Sequence, residues 1–359
     1  MNIASISKIG NTRRDFLKLL SKATITVCGL TVLGTLTGCT TGPKETRKDV
    51  AKIKWDCNPI LPIPENACYT GANNHIDPVR FIKSFEYYYG TTPTIHDMGY
   101  TVSSNNFPED DCKTMIEMGT IPVLRYNPVD YSFKGYYGPI IKGKIDDQIR
   151  KDAHNMAKFG HPILLIPFMF PNEANRVHFD WGAHPADQYK EAWIRMHELI
   201  KKEGANNVVW ITKLKMGRWR DFSYPDPFNY IPPKEYVDII GWACNNHIKP
   251  EIGLYSQSFN SLFNYYYKNA SRKFPTLPQM FLELSSASNN SQYKWMDDAL
   301  NTIKTKYYRV IGVLIDEQPY WSEGNPYGGF DPGPTPKSRE VIRKHFTGSY
   351  YIGSILKRS

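Results

Sequence analysis

What the 359-residue chain lacks narrows its class before any motif is read. Its six cysteines include no CxxC pair and show no metal-ligand spacing, so neither a metal nor a cofactor is expected. Its N-terminal apolar stretch falls short of the about 20 residues that a membrane-spanning helix needs. Beyond that region there is no Pro/Ser-rich linker, no low-complexity tract and no self-similar period. The remaining, roughly 310 residues suit one large domain as well as two. No basic helix with interleaved base-stacking aromatics stands out, so nucleic acid is not an expected partner despite a formal net charge of +9. Part of that charge sits at the N-terminus, where Lys8, Arg13, Arg14, Lys18 and Lys22 face only Asp15.

What is present begins with an address. Thr12-Arg13-Arg14-Asp15-Phe16-Leu17-Lys18 matches the twin-arginine export pattern, and the uncharged stretch 23–36 follows it. The stretch closes on Leu36-Thr37-Gly38-Cys39, which resembles a bacterial lipobox. Residues 1–38 are therefore expected to be a signal peptide, with Cys39 the lipidation site and a membrane the partner of the anchor. Residues 39–54 read as a lipidated tether, 55–348 as the main folded domain and 349–359 as a basic tail. The protein is expected to be exported, anchored to a bacterial membrane and monomeric. Export permits disulfides, and Cys57 with Cys68 is the natural pair, but four free thiols (with Cys112 and Cys244) fit equally.

The most informative stretch runs from 162 to 182. Pro162-Ile163-Leu164-Leu165-Ile166-Pro167-Phe168-Met169-Phe170 is unbroken apolar sequence, as in a strand covered on both faces. It stops at Pro171-Asn172-Glu173-Ala174-Asn175, a carboxylate flanked by amides at a strand end. The amides orient the carboxylate, and the apolar surroundings favour its protonated form. A shorter copy follows about 110 residues later: Pro278-Gln279-Met280-Phe281-Leu282-Glu283. Two carboxylates at two strand ends are what glycosidic bond cleavage requires, one to protonate the leaving oxygen and one to attack or stabilise the sugar cation. The high aromatic content, 14%, suits sugar binding, since flat rings pack against sugar rings, although most aromatics are core.

Periodicity predicts strands near 67–71, 93–96, 121–126, 162–170, 207–212, 236–244, 279–283 and 309–316. Helices are predicted over 79–88, 107–118, 145–159, 187–203, 258–272, 295–306 and 337–346. Eight strands alternating with helices indicate an α/β fold, a parallel (β/α)8 TIM barrel, whose catalytic groups sit at the C-terminal strand ends. Glu173 and Glu283 would then end strands four and seven, across the barrel mouth from each other.

This layout resembles glycoside hydrolase family 26, the retaining endo-acting β-mannanases and their relatives, over nearly the whole chain after the tether. Asn172-Glu173-Ala174-Asn175 falls where that family has His-Glu-Met-Asn-Gly. The stretches 143–146, 185–193 and 204–210, and Tyr236-Val237-Asp238 with Gly241, resemble further segments of the family, and 279–283 resembles its nucleophile strand. The family's tyrosine at the end of strand six is replaced by Cys244-Asn245-Asn246-His247. The resemblance implies a retaining hydrolase of a β-mannan or a related β-1,4- or mixed-linked polysaccharide. Glu173 would be the acid/base, Glu283 the nucleophile and Asn175 a neighbouring polar group. An inactive carbohydrate-binding barrel is the alternative.

Around this pair, Asn172, Asn175, Asn245 and His247 are candidate substrate ligands, as are His178 and His184. Trp181, Trp219, Trp242 and Trp321 fall at or just after strand ends as candidate sugar platforms, whereas Trp193 and Trp210 read as core. Asp316-Glu317, ending strand eight, is the rival acidic pair, suited to orienting substrate.

Overall fold

Each strand carries apolar residues on both faces because each face meets a different apolar layer. In the computed structural model, the described residues are 45–356 except 75–76, 103–106, 127–136, 173–184, 217, 220–221, 224, 247–255, 288–289 and 318–332. For 99–102, 218–219 and 222–223 the backbone alone is described. In chain order the main elements are α1 (Arg47–Val50), β1 (Cys68–Asn73), α2 (Pro78–Tyr89), β2 (Ile95–Val102), α3 (Glu109–Glu117) and β3 (Ile121–Tyr126). There follow α4 (Gly138–Ile141), α5 (Asp146–Phe159), β4 (Ile163–Pro167), α6 (Ala186–Lys202), β5 (Val208–Trp210) and β6 (Leu214–Lys215). A short hairpin, β7 (Arg218–Trp219) with β8 (Phe222–Ser223), leads to β9 (Ile240–Asn246), α7 (Phe259–Lys273) and β10 (Gln279–Ser286). The chain ends with α8 (Gln292–Lys306), β11 (Val310–Asp316), α9 (Pro336–Phe346) and β12 (Tyr351–Ile352).

The barrel sheet runs β5-β4-β3-β2-β1-β11-β10-β9-β6, with parallel pairing along it. A parallel bridge between Ile211 and Ile239 joins β5 to the residues before β9 and brings the two ends of the sheet together. The fifth barrel strand is thus broken into β5, this bridge and β6. Gly241 permits the closure, because a Cβ there would lie 1.9 Å from the Thr212 carbonyl oxygen. The architecture is the expected (β/α)8 barrel.

Two apolar layers follow from strand parity. Ile95, Val123, Leu164, Ile166, Val209, Ile211, Met280, Leu282 and Leu314 fill the barrel interior. Leu124, Leu165, Trp210, Trp242, Phe281, Val313 and Ile315 face the helices. Leu61 belongs to the interior cluster, and Ile60 and Ile63 pack against it. In β10 the register against β9 shifts between Phe281 and Glu283. Leu282 and Glu283 consequently both serve the interior side, while Leu284 returns to the outer layer.

Both expected domain boundaries move. The tether was expected to extend to residue 54, yet Glu45 accepts hydrogen bonds from Tyr267 Oη (2.5 Å) and Arg309 Nε (2.7 Å), and Val50 is buried. The tail was expected from 349, but β12 pairs with β1, and Tyr351 is buried with its hydroxyl on the Leu300 carbonyl (2.6 Å). The signal segment and Cys39 lie outside the described residues. Cys57, Cys68, Cys112 and Cys244 are all free, so the Cys57–Cys68 pairing does not form. Cys68 faces the outer layer whereas Cys57 packs on the interior cluster. Among the described residues, no helix is long and apolar enough to cross a membrane.

Candidate active site

Above the apolar interior, the next inward residue of nearly every strand is polar. Asn73 ends β1, Asp97 lies in β2, Arg125 in β3, Lys215 in β6, Asn245 in β9, Glu283 in β10 and Asp316 ends β11. Lys213 sits just before β6. The same period-two alternation that fills the barrel with Ile, Val and Leu therefore delivers this layer to the C-terminal mouth.

The polar groups form a closed circuit. Arg125 donates through Nε and Nη2 to Asp97 Oδ2 (3.2 and 2.9 Å) and through Nη2 to Asn73 Oδ1 (2.7 Å). Lys213 Nζ bridges Asp97 Oδ2 (3.0 Å) and Glu283 Oε1 (2.8 Å). Asn73 Nδ2 closes the loop on Glu283 Oε1 (3.3 Å) and also reaches Asp316 Oδ1 (3.5 Å). Lys215 Nζ lies 3.4 Å from both Glu283 Oε2 and Asn245 Oδ1. Asn245 in turn donates to Ser285 Oγ (2.8 Å). Asp97, Lys213 and Glu283 are buried, and charged groups persist in such a setting only when paired.

The two carboxyls near Asn73 are driven apart in acidity. Burial alone would raise Glu283, but Lys213, Lys215 and Arg125 outweigh it and hold the carboxyl well below its ordinary range. Burial and the negative charge of Glu283 push Asp316 the other way, well above the usual carboxylate range. One carboxylate is thereby kept ionised and its neighbour is disposed to carry a proton.

The tip of β4 is built by strained backbone. Phe168 and Phe170 have positive φ (59° and 49°), which is uncommon for residues with a side chain. The Phe170 N–H donates to the Lys213 carbonyl (3.0 Å), and its ring lies 4.0 Å from Lys215 Nζ and 5.2 Å from Lys213 Nζ. Asn172 then clamps the loop to β6: its Nδ2 donates to the Lys215 carbonyl (2.9 Å) and its Oδ1 accepts from the Lys215 N–H (3.0 Å). The residue that follows in the chain is Glu173.

No protein-family profile matches the chain. Over 208 residues it is 26% identical to endoglucanase H of Acetivibrio thermocellus, covering 55% of this chain and 21% of that protein. It thus spans about a fifth of the length of this curated relative. Among solved structures, GH26A from a Muricauda species superposes with a TM-score of 0.57 at 14% identity, over 89% of this chain and 99% of that one. A family 26 β-mannanase from Bacteroides ovatus gives a TM-score of 0.57 at 15% identity, over 80% and 91%. A modular endo-β-1,4-mannanase from Cellulomonas fimi gives 0.56 at 13%, over 80% and 72%.

The chain has the fold of glycoside hydrolase family 26.

Within this family 26 fold, the expected site residues separate. Glu283 and Asn245 are in the polar circuit or touch it. Two expectations are corrected. Trp242 is no sugar platform: it is fully buried on the helix side of β9, near Phe263 and Tyr266, with Nε1 on Gln279 Oε1 (3.0 Å). Asn172 is fully buried with both amide atoms on the Lys215 backbone, so it positions a loop and does not meet substrate. Of the rival acids, Asp316 joins the site, whereas Glu317 accepts from Tyr89 Oη and Arg339 Nη2 (3.0 Å) beside the helices. Trp193 and Trp210 are core as expected. Glu173, Asn175, His178, Trp181, His184, His247 and Trp321 lie outside the described residues, as does the side chain of Trp219.

Sequence reasoning missed Asn73, Asp97, Arg125, Lys213 and Lys215. The signal for the lysines was Lys213-Leu214-Lys215, polar-apolar-polar alternation directly after a strand. Among the described residues, no cluster of His, Cys, Asp or Glu is arranged to hold a metal ion.

Proposed function

We propose that the chain is a retaining, endo-acting β-glycoside hydrolase that cuts a β-mannan or a related β-1,4- or mixed-linked polysaccharide, working as a monomer without a cofactor. The observation that carries the reading is Glu283, a buried carboxylate held ionised at the C-terminal barrel mouth by Lys213 and Lys215. The β-mannanases of similar fold and the endoglucanase of similar sequence support the substrate class.

In this mechanism Glu173 gives its proton to the glycosidic oxygen as the C–O bond breaks. Glu283 attacks the anomeric carbon and forms a glycosyl ester. Glu173, now a carboxylate, takes a proton from water; that water displaces Glu283 and restores both carboxyls. The scheme requires the two carboxyl groups about 5 Å apart. Asn172, the residue immediately before Glu173 in the chain, is clamped to the Lys215 backbone.

The test is release of reducing ends from β-mannans, xylans and mixed-linked glucans by the full-length protein. Glu173→Ala and Glu283→Ala are each expected to lower turnover by several orders of magnitude (roughly 10³-fold or more) with the thermal transition retained. Near-normal turnover in either variant would overturn the assignment. Binding of a polymer without any cleavage by the unsubstituted protein would leave an inactive carbohydrate-binding barrel in its place.

Anchoring through Cys39 belongs to the same reading, because the twin-arginine pattern and the lipobox-like Leu36-Thr37-Gly38-Cys39 stand in order ahead of the fold. Cys39→Ser is expected to shift the protein from the membrane fraction to the soluble fraction, and an unchanged distribution would contradict it.

A further inference from the structure

The two oxygens of Glu283 are not equivalent. Oε1 is held by Lys213 Nζ at 2.8 Å and by Asn73 Nδ2 at 3.3 Å, whereas the contact to Oε2 is Lys215 Nζ at 3.4 Å. The anchors of Oε1 are themselves fixed from behind. Asp97 holds Lys213 and is held by Arg125, and Arg125 also fixes the Asn73 amide. Lys213 is fully buried, so it has no water to exchange for these partners.

We propose that Lys213 is the positioning residue of the nucleophile: it anchors Glu283 through Oε1, keeps the carboxylate charged, and leaves Oε2 as the oxygen that attacks. The proposal rests on the reading of Glu283 as the nucleophile. When Oε2 bonds to the anomeric carbon, Oε1 becomes the carbonyl oxygen of the ester and still accepts from Lys213. When water displaces the ester, the negative charge returns to the carboxylate beside the same ammonium, which makes it a better leaving group. Lys213 thus acts on both halves of the reaction without touching the sugar.

The charged groups facing Glu283 are Lys213, Lys215 and Arg125, with Asp97 and Asp316 as the nearby acids. Removing the Lys213 charge leaves Asp97 paired with Arg125 and weakens the hold on Glu283. Loss of a cation at this distance moves a carboxylate by about one to three pH units. The acid limb of kcat/KM reports the nucleophile in the free enzyme, so it moves with it.

The experiment compares kcat/KM against pH for the full-length protein, Lys213→Gln and Lys213→Arg. Lys213→Gln keeps a hydrogen-bond donor without charge, and its acid limb is expected to rise by about one to three pH units. Lys213→Arg keeps the charge and is expected to retain the low limb. A folded Lys213→Gln protein with an unmoved limb overturns the proposal. Infrared titration of the unsubstituted protein against Glu283→Gln needs no change at Lys213: Glu283 is expected to protonate well below its ordinary 4.5. Protonation at or above that value also overturns the proposal. Activity that survives in Glu283→Gln would defeat the assignment of the nucleophile itself, while the infrared result would still report on the ion pair.

Discussion

At Trp242 the direction of one side chain decides between core and substrate contact. Its neighbour Ala243 shares the parity of Asn245 and the barrel interior, so Trp242 turns to the helices. Trp242→Phe leaves a gap beside Phe263 and strips Gln279 Oε1 of its donor. The expected cost is about 1–3 kcal/mol of stability with KM unchanged, read from denaturant unfolding and from kinetics on the preferred polymer. A raised KM at unchanged stability would restore the platform role. The same parity explains Lys213 and Lys215. Viewed along the sequence they resemble an ordinary solvated strand end, and only closure of the sheet turns them onto Glu283.

At the scale of elements, much was legible. The predicted strand 121–126 coincides with β3, and the other strands start within a few residues of their predicted places, although β2 runs to Val102, six residues past its predicted end. They were readable because doubly covered strands leave continuous apolar runs between glycine, proline and polar breaks. Glu283 was readable for the same reason, as the acid that interrupts such a run. The broken fifth strand was not, because its joint depends on Gly241 passing close to the Thr212 carbonyl from another part of the chain. The inward turn of Glu283 past Leu282 depends on a register shift that no local pattern encodes. The 45–54 segment looked like a tether since its anchors, Tyr267 and Arg309, lie more than 200 residues away in sequence. Asp97 and Arg125 were hidden similarly: each is a polar residue in or beside a strand, and their partnership exists only once β2 pairs with β3.

For the molecule as a whole, the two ends of the barrel respond differently to pH. At the C-terminal mouth Glu283 is stabilised as an anion, while at the other end Asp238 is penalised as one. Burial raises Asp238 from 3.8 to about 6, although backbone N–H groups of Trp210 and Asn58 (both 2.7 Å) oppose the rise. The folded protein therefore holds this proton more tightly than the unfolded chain. Its contribution favours folding most below its unfolded value and is lost as pH rises toward about 6, by at most about 3 kcal/mol. Asp238→Asn is expected to flatten the fall of the thermal midpoint between about pH 4 and 6, while lowering the midpoint at acid pH, where one backbone donor loses its acceptor and no charge penalty is relieved. An unchanged slope would show that other groups set the acid profile.

The most direct measurement follows the first-formed product of a β-linked oligosaccharide by proton NMR, before the sugar mutarotates. Glu173 and Glu283 acting as acid/base and nucleophile require two inversions, so the β-anomer is expected first, with its formation abolished in Glu283→Ala. The α-anomer appearing first, or β-product persisting in that variant, would contradict the assignment of the barrel mouth as a retaining glycosidase site.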